Sequence, residues 1–198
     1  MEKLTFPFCA LISRMKYIMR WGLMRQNRNE NLSEHTTETA IFAHILALLS
    51  REELKMNNIN PEAVSVAALY HDATEILTGD LPTPVKYKNP EFKNAYKKIE
   101  KESSATLSNL LPQKLQTDIL NYMNGDALNS EEKKILKAAD ILSALVKCIE
   151  EENSGNHEFS SAKKQQLLLL KNLDCPACEL FIKYFLSDYE NNLDELIN

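Results

Sequence analysis

Residues 61–84 read PEAVSVAALYHDATEILTGDLPTP, a small apolar run followed directly by several ionisable side chains. Most of residues 61–69 are small or apolar, which predicts a buried helix with little polar surface. The chain then places His71, Asp72 and Glu75 at the end of this run. A carboxylate removed from water is strongly disfavoured unless another group compensates for its charge. We therefore expect these side chains to bind a divalent metal ion.

The predicted limits of this helix place its ionisable side chains relative to one another. Pro61 suits an early helical position, where its missing N–H costs nothing, and Gly79 is a typical residue after a last turn. In one continuous helix, His71 and Glu75 share a face and Asp72 lies about 100° around the axis. This spacing lets His71 and Asp72 bind one ion at the helix edge.

The composition predicts an all-α fold in a single domain. The chain has 198 residues, of which 44% are hydrophobic, and this is enough for one substantial core over residues 1–198. Only 4 Gly and 7 Pro occur, a usage that suits long helices. Further helices are predicted over Phe6–Arg20, from an N-cap at Ser33 to about Arg51, over Glu91–Leu111, over Pro112–Met123, from Ser130 through Val146, and twice more near the C-terminus.

The charge distribution limits the class of ligand. A formal net charge of −5 argues against binding to a nucleic acid polymer, which requires a broad basic surface. The charge is uneven, because the first 29 residues carry six basic side chains and one acidic side chain. A small anionic ligand near this N-terminal segment fits the asymmetry.

Neither a membrane span nor a disulfide framework is expected. The N-terminus lacks the apolar core of a signal peptide, and no apolar run reaches the roughly 18 residues of a spanning helix. We expect a cytoplasmic protein whose four cysteines are reduced. Cys175 and Cys178 have the spacing of a redox dithiol or half a zinc site. Because no second such pair and no βαβ pattern accompanies them, we interpret them as a helix start with two buried thiols.

Other polar residues stand out by their context. Asp140 is the only acid in an apolar window and needs a partner there. His35 falls in the first turn of its predicted helix, where side chains often converge on a pocket, whereas His44 lies on the opposite face and reads as a core histidine. Together with His71 and Asp72, His35 and Asp140 could bind one divalent ion with coordination positions left open for water.

Trp21 follows Arg20 at the end of a predicted helix. From the local sequence this pair fits an aromatic side chain at the edge of the core beside a solvated arginine, since buried aromatics mostly serve packing. A ligand-binding role is the alternative interpretation.

Several of these segments together resemble a known family. The order His35, His71-Asp72, Asp140 resembles the HD superfamily of metal-dependent phosphohydrolases. Five segments look more specifically like its bacterial 5′-deoxynucleotidases: Arg20-Trp21, NLSEH (31–35), YHDATE (70–75), TGDLPTPVK (78–86) and KAAD (137–140). The third of these contains the His-Asp pair that names the superfamily, and residues 78–86 are the most specific to the deoxynucleotidases.

The resemblance implies an HD-domain helical bundle, a homodimer and the hydrolysis of deoxyribonucleoside 5′-monophosphates to deoxynucleoside and phosphate. It implies one divalent ion, either cobalt, manganese or copper. The implied metal ligands are His35, His71, Asp72 and Asp140. The implied substrate contacts are Arg20, Trp21, Asp72, Asp80, Leu81, Pro82, Thr83 and Asp140.

The resemblance and the residue chemistry also suggest roles in specificity and proton transfer. Trp21 would press on the sugar so that a ribose 2′-hydroxyl does not fit. Glu75 and Asp80 are the candidate catalytic residues, because both are close in sequence to the metal ligands without being needed as ligands. The sequence does not distinguish the acid from the base.

Three alternatives stay open at this point. Another HD phosphohydrolase activity, on nucleoside triphosphates, cyclic dinucleotides or alarmones, is the first. Larger substrates would be expected to need basic or loop segments that this short acidic chain lacks. A non-catalytic helical interaction module is the second, and a thiol-redox role of Cys175 and Cys178 is the third.

Overall fold

The computed structural model describes residues 5–86 and 89–197, and for Thr83 it describes the backbone only. Within these residues the secondary-structure elements are all helices, which confirms the all-α prediction. The α-helices are α1 (Phe8–Ile12), α2 (Leu32–Glu52), α3 (Pro61–Tyr70), α4 (Glu75–Thr78), α5 (Thr83–Lys86), α6 (Pro90–Ser108), α7 (Gln113–Asn124), α8 (Ser130–Asn153), α9 (Ser160–Asn172), α10 (Pro176–Phe185) and α11 (Leu193–Ile197). Short 3₁₀ segments span Ser13–Tyr17, His157–Phe159 and Leu186–Glu190. No helix in the described part of the chain is long and apolar enough to cross a membrane.

Helices α2, α3 and α8 form the centre of the molecule, and each of them packs against the other two. Leu46, Val64 and Leu142 contribute side chains that are 0% exposed. Helices α9 and α10 pack around this centre, while α6 and α7 pack against each other. The three central helices are those on which the sequence predicts metal ligands, so the best-packed part of the fold holds the candidate site.

The central helix is shorter than predicted. Helix α3 does begin at Pro61 after an Asn60 cap, but it ends at Tyr70. Tight backbone turns follow, in which the Ala73 and Glu75 amides donate to carbonyls three residues earlier. The prediction of one continuous helix to Thr78 is therefore wrong, because the helical hydrogen bonds stop where His71 begins. The turn gives the ionisable side chains directions that a straight helix would not.

The starts of α2 and α8 are set by asparagine caps. The Asn31 side chain accepts from the Ser33 and Glu34 amides, and Glu34 closes a capping box. Asn129 caps α8 in the same way. The predicted cap at Ser33 is therefore two residues late, because the asparagine ahead of it satisfies the first amides.

The N-terminal segment is not one helix. After α1 and the Ser13–Tyr17 turn, Met19 pairs with Asn31 in an isolated antiparallel bridge. Two backbone hydrogen bonds flank this bridge, from Arg20 N to Glu30 O at 3.0 Å and from Leu32 N to Ile18 O at 2.8 Å. The predicted helix is therefore present as α1 and the 3₁₀ segment up to Tyr17, but its end at Arg20 is wrong because this non-local pairing holds residues 18–20 extended. It also closes residues 20–30 into a loop, here called the Trp21 loop.

Replacing Leu142 by alanine should lower the free energy of unfolding by about 2–5 kcal/mol, since a fully buried leucine leaves a cavity. Urea denaturation followed by circular dichroism measures this change. Leu168→Ala is the matched control, because Leu168 is 58% exposed, and it should change little. Equal small effects of both substitutions would contradict the central position of α8. The prediction of a single domain stays a prediction, which one cooperative transition would support.

Candidate metal and nucleotide site

The four predicted metal ligands converge at the centre of the fold. His35 comes from the first turn of α2, His71 and Asp72 from the turn after α3, and Asp140 from the middle of α8. The Asp72 Oδ2 atom lies 3.1 Å from His71 Nε2 and 3.6 Å from His35 Nε2. The Asp140 Oδ1 atom lies 3.3 Å from His35 Nε2 and 3.9 Å from His71 Nε2. Two carboxylates and two imidazoles therefore face one small volume.

The free atoms of the two histidines fit a metal ion. The Nε2 atoms of His35 and His71 are buried and have no hydrogen-bond partner among the described residues. The His71 Nδ1 atom lies 2.7 Å from the Ala68 carbonyl, which can only accept, so this nitrogen carries a proton. In the neutral form of the ring, Nε2 is therefore the nitrogen with the lone pair, and it faces the acids. A cation between these lone pairs and carboxylates would remove the repulsion among them, so the donor set fits a divalent ion.

The two histidines differ in charge preference. Burial lowers the pKa of His35, and the nearby Arg20 guanidinium lowers it further. Burial also acts to lower the pKa of His71, but the Asp72 carboxylate outweighs it and raises the pKa to about 9. Without a cation, His71 therefore holds the proton that neutralises part of the cluster. A metal ion would displace this proton on binding.

Both carboxylates are held in the charged form. Burial alone would raise the pKa of Asp72, but the adjacent His71 lowers it below its ordinary value. Burial would likewise raise the pKa of Asp140, but the Lys137 ammonium group opposes this, and the pKa lies well below its ordinary value. Lys137 Nζ lies 2.8 Å from Asp140 Oδ2, which leaves the other oxygen facing the histidines. Ionised carboxylates are the form that binds a metal.

A polar relay behind His35 was missed by the sequence reasoning. The Ser143 hydroxyl donates to Glu38 Oε2 at 2.6 Å, so its oxygen can accept from His35 Nδ1 at 3.0 Å. Burial raises the pKa of Glu38 to about 7, although the Ser143 hydrogen bond opposes this shift. The relay fixes the His35 ring with Nε2 toward the acids. The available signal was a serine one helical turn after Asp140 in an apolar run.

Arg20 and Trp21 both belong to the site region and share one partner. Arg20 Nη1 lies 3.9 Å from Asp72 Oδ2, at the edge of the cluster. Glu30 Oε2 accepts from Arg20 Nε at 3.0 Å and from Trp21 Nε1 at 2.8 Å. The Trp21 ring also packs against Phe159, with ring centroids 5.2 Å apart. The sequence reasoning missed Glu30, because nothing local marks an acid nine residues away as their common acceptor.

The two candidate proton-transfer residues differ in burial. Glu75 is 5% exposed, and its Oε2 atom has no hydrogen-bond partner among the described residues. Burial, together with the Asp72 and Asp80 carboxylates, raises its pKa to about 9. Asp80 is half-buried, and burial raises its pKa against the opposing charge of Arg20. Both acids can therefore hold a proton closer to neutral pH than ordinary carboxyls.

The remaining predicted substrate contacts lie in the loop after Gly79. Leu81 and Pro82 are half-buried, and the Pro82 carbonyl accepts from the Val85 and Lys86 amides in α5. The side chain of Thr83 lies outside the described residues. These hydrogen bonds within its own backbone hold the loop in place. The charge of Asp80, the first residue of this loop, interacts with Arg20, Asp72 and His35.

Cys175 and Cys178 lie away from these residues, at the start of α10. Both are buried free cysteines, and burial raises the pKa of Cys178 to about 12. The interpretation as a helix start with two buried thiols is confirmed. Neutral thiols are poor nucleophiles, so the structure offers no support for a thiol-redox role.

A family model described as 5′-deoxynucleotidase YfbR-like matches residues 7–189 of the chain. The chain belongs to this 5′-deoxynucleotidase family. A 5′-deoxynucleotidase of Vibrio parahaemolyticus is 43% identical over 189 residues, which cover 96% of this chain and 97% of that protein. A 5′-deoxynucleotidase of Yersinia pestis is 42% identical over 189 residues, covering 96% of this chain and 95% of that protein. The resemblance seen in the sequence is therefore confirmed.

Solved structures place this deoxynucleotidase family member in the HD-domain fold. An HD-domain phosphohydrolase of Listeria innocua superposes with a TM-score of 0.78 at 22% identity, covering 92% of this chain and 87% of that one. A cyanophage S-2L HD phosphohydrolase, bound to dA and one catalytic Zn²⁺ ion, gives a TM-score of 0.62 at 19% identity, covering 96% of this chain and 100% of that one. These likenesses confirm the HD-domain bundle.

Proposed function

We propose that this protein is a metal-dependent phosphomonoesterase that hydrolyses deoxyribonucleoside 5′-monophosphates to deoxynucleoside and phosphate. The observation that carries the proposal is the convergence of four predicted ligand side chains at two buried imidazole nitrogens that have no hydrogen-bond partner among the described residues. Membership of the 5′-deoxynucleotidase family supplies the substrate class. The helical bundle and its central site supply a rigid frame for this chemistry.

His35, His71, Asp72 and Asp140 would hold the metal ion. When bound in such a site, a divalent ion can activate water and polarise a phosphoryl oxygen. Arg20 would bind the phosphate beside Asp72, where its positive charge offsets the negative charge of the substrate. Asp72 and Asp140 would thus line both the metal and the phosphate. The loop residues Asp80, Leu81, Pro82 and Thr83 would contact the rest of the nucleotide.

Glu75 and Asp80 would transfer protons during the reaction. Hydrolysis removes a proton from the attacking water and delivers one to the 5′ oxygen that leaves. The raised pKa values of both acids support this role, since a group that exchanges protons works best with a pKa near the working pH. Glu75 is the more buried of the two, and its unpartnered Oε2 atom is available for a substrate or water.

Three finer features are part of the proposal. The ion would be cobalt, manganese or copper, all of which accept mixed imidazole and carboxylate ligands. The protein would act as a homodimer, as the resemblance implies. A cytoplasmic location would suit the substrate class, and the free cysteines among the described residues are compatible with a reducing compartment.

The proposal is tested by phosphate release from deoxyadenosine and adenosine 5′-monophosphates after the protein has been stripped with a chelator. Release from the deoxy substrate should appear when cobalt or manganese is added and should be much slower from the ribose substrate. Equal release from both would support the metal site and reject the sugar selectivity. Release from neither, with metal bound, would reject this function in favour of another nucleotide substrate.

Trp21→Ala should allow ribonucleotides to be hydrolysed. A steric block against the 2′-hydroxyl can exceed the discrimination available from a missing favourable contact, so its removal should lower the deoxy-to-ribo ratio of kcat/KM by about tenfold or more. Steady-state kinetics with both substrates measure the ratio. Tyr17→Ala is a suitable control, because Tyr17 is a 63% exposed aromatic residue nearby in the chain. An unchanged ratio in Trp21→Ala would show that Trp21 does not select the sugar.

A further inference from the structure

We propose that Glu30 is a positioning residue that sets the sugar selectivity and the phosphate affinity of the site by holding Trp21 and Arg20 with one carboxylate oxygen. This inference rests on the proposed function and adds to it a residue that the sequence reasoning did not find. Glu30 would touch neither the metal nor the reacting phosphate. Its effect would pass through the two side chains that it binds.

The central observation is a shared acceptor. Glu30 Oε2 accepts from the Trp21 indole N–H at 2.8 Å and from Arg20 Nε at 3.0 Å. An indole has only one N–H, so this bond fixes the direction in which the Nε1 edge of the Trp21 ring points. The bond to Arg20 uses Nε and leaves the terminal nitrogens free, one of which lies 3.9 Å from Asp72 Oδ2. A single oxygen thus fixes the predicted sugar contact relative to the predicted phosphate contact.

Burial makes these bonds strong and costly to lose. Glu30 is 6% exposed, and the side chain of Arg20 is 12% exposed. A charged hydrogen bond shielded from water is stronger than an exposed one, and a buried donor left without an acceptor is destabilising. Because the backbone of Glu30 also pairs with that of Arg20, the acid cannot move away without opening the loop.

The backbone at Trp21 shows that the surroundings determine its conformation. Trp21 has a φ of 60°, in the left-handed region that large side chains rarely adopt. Such a conformation is strained and persists only where neighbouring contacts enforce it. The Glu30 hydrogen bond and the packing on Phe159 are contacts of this kind.

The far side of the Trp21 loop is anchored to α8. Glu151 accepts from the amides of Asn27 and Arg28, at 2.8 and 3.2 Å, and it is paired with Lys147. Lys147 also donates to the Arg28 carbonyl. Both members of the pair are 2% exposed. The loop is thus fixed at residues 27–28 by the pair on α8, and Glu30 transmits this fixed position to Trp21.

Glu30→Ala should lower the deoxy-to-ribo ratio of kcat/KM by about tenfold and raise KM for the deoxy substrate, with a smaller effect on kcat. Glu30→Gln keeps one acceptor oxygen of similar reach, so it should recover most of the ratio. Glu158→Gln is the matched control, because Glu158 binds Arg25 in the same loop without touching Trp21 or Arg20, and it should leave the ratio unchanged.

A second readout does not depend on activity. Trp21 is the one tryptophan in the chain, so intrinsic fluorescence reports its surroundings directly. In Glu30→Ala the emission should move to longer wavelength as the ring gains contact with water, while Glu30→Gln and Glu158→Gln should resemble the unmodified protein. Circular dichroism verifies that each variant is folded.

The outcomes separate this inference from the proposed function. An unmodified protein that hydrolyses neither substrate would overturn the function and this inference with it. An active, selective protein whose Glu30→Ala variant keeps both its ratio and its emission would overturn only the role of Glu30. If Glu30→Ala does not fold, Glu30→Asp takes its place, because it keeps the charge but withdraws the acceptor oxygen by one methylene group. A lowered ratio in Glu30→Asp would support the role, and an unchanged ratio would overturn it.

Discussion

Replacing His71 by alanine is expected to lower metal-dependent phosphate release by about 1,000-fold or more. The substitution removes one of the four converging ligands and leaves the Asp72 carboxylate without the partner that lies 3.1 Å away. The ion contributes several kcal/mol of charge stabilisation, and each ~1.4 kcal/mol corresponds to a tenfold change in rate. The rate of phosphate release and the manganese affinity measured by calorimetry should therefore fall together.

The matched control for this experiment is His44→Ala. His44 lies on the same helix, α2, and is half-buried, but it is nine residues after His35 and on the opposite face. Its replacement should leave both metal affinity and rate within about threefold of the unmodified protein, since it removes no ligand. A His71→Ala variant that binds manganese normally and keeps its rate would reject the proposed ligand set.

Glu75→Gln is expected to lower kcat by about 100- to 10,000-fold while metal binding is retained. The amide has nearly the same shape as the carboxyl but can neither accept nor release the transferred proton. Because Glu75 is buried and its Oε2 atom has no hydrogen-bond partner in the described part of the chain, the substitution disturbs few existing contacts. The rate is measured at saturating substrate, and manganese affinity is measured by calorimetry.

Glu62→Gln provides the same chemical change at an exposed position in the first turn of α3. It should leave kcat unchanged. A Glu75→Gln variant with full activity would exclude Glu75 from proton transfer. A variant whose loss of rate follows a loss of bound metal would instead give Glu75 a role in building the metal site.

Much of the metal site could be predicted from single positions in the sequence. Asp140 stands out because an acid inside an apolar helix needs a partner. In the structure, the Nε2 atoms of His35 and His71 lie near its Oδ1 atom. His71 and Asp72 stand out for the same reason after a small apolar run. Residue chemistry also suggested His35 as a fourth ligand, and the family resemblance supported this set and added Arg20 as a substrate contact.

The parts that could not be predicted depend on contacts distant in sequence. Periodicity from residue 6 to residue 20 favours a helix, but pairing between Met19 and Asn31 ends that helix at Tyr17. Helical signals also continue past Tyr70, and only the packed fold shows that the chain turns there. Glu30 and Ser143 act through neighbours that no local pattern identifies. Such polar partners become visible only when the helices that carry them are placed together.

Helix α8 connects the cluster of predicted metal ligands to the anchor of the Trp21 loop. It carries the predicted metal ligand Asp140 and, starting two turns later, the Lys147–Glu151 pair that anchors the Trp21 loop. Seven residues of helix span about 10 Å, and a helix resists stretching because each turn is held by its own hydrogen bonds. Under the proposed function, one rigid helix would set the separation at which the phosphate and the sugar are recognised.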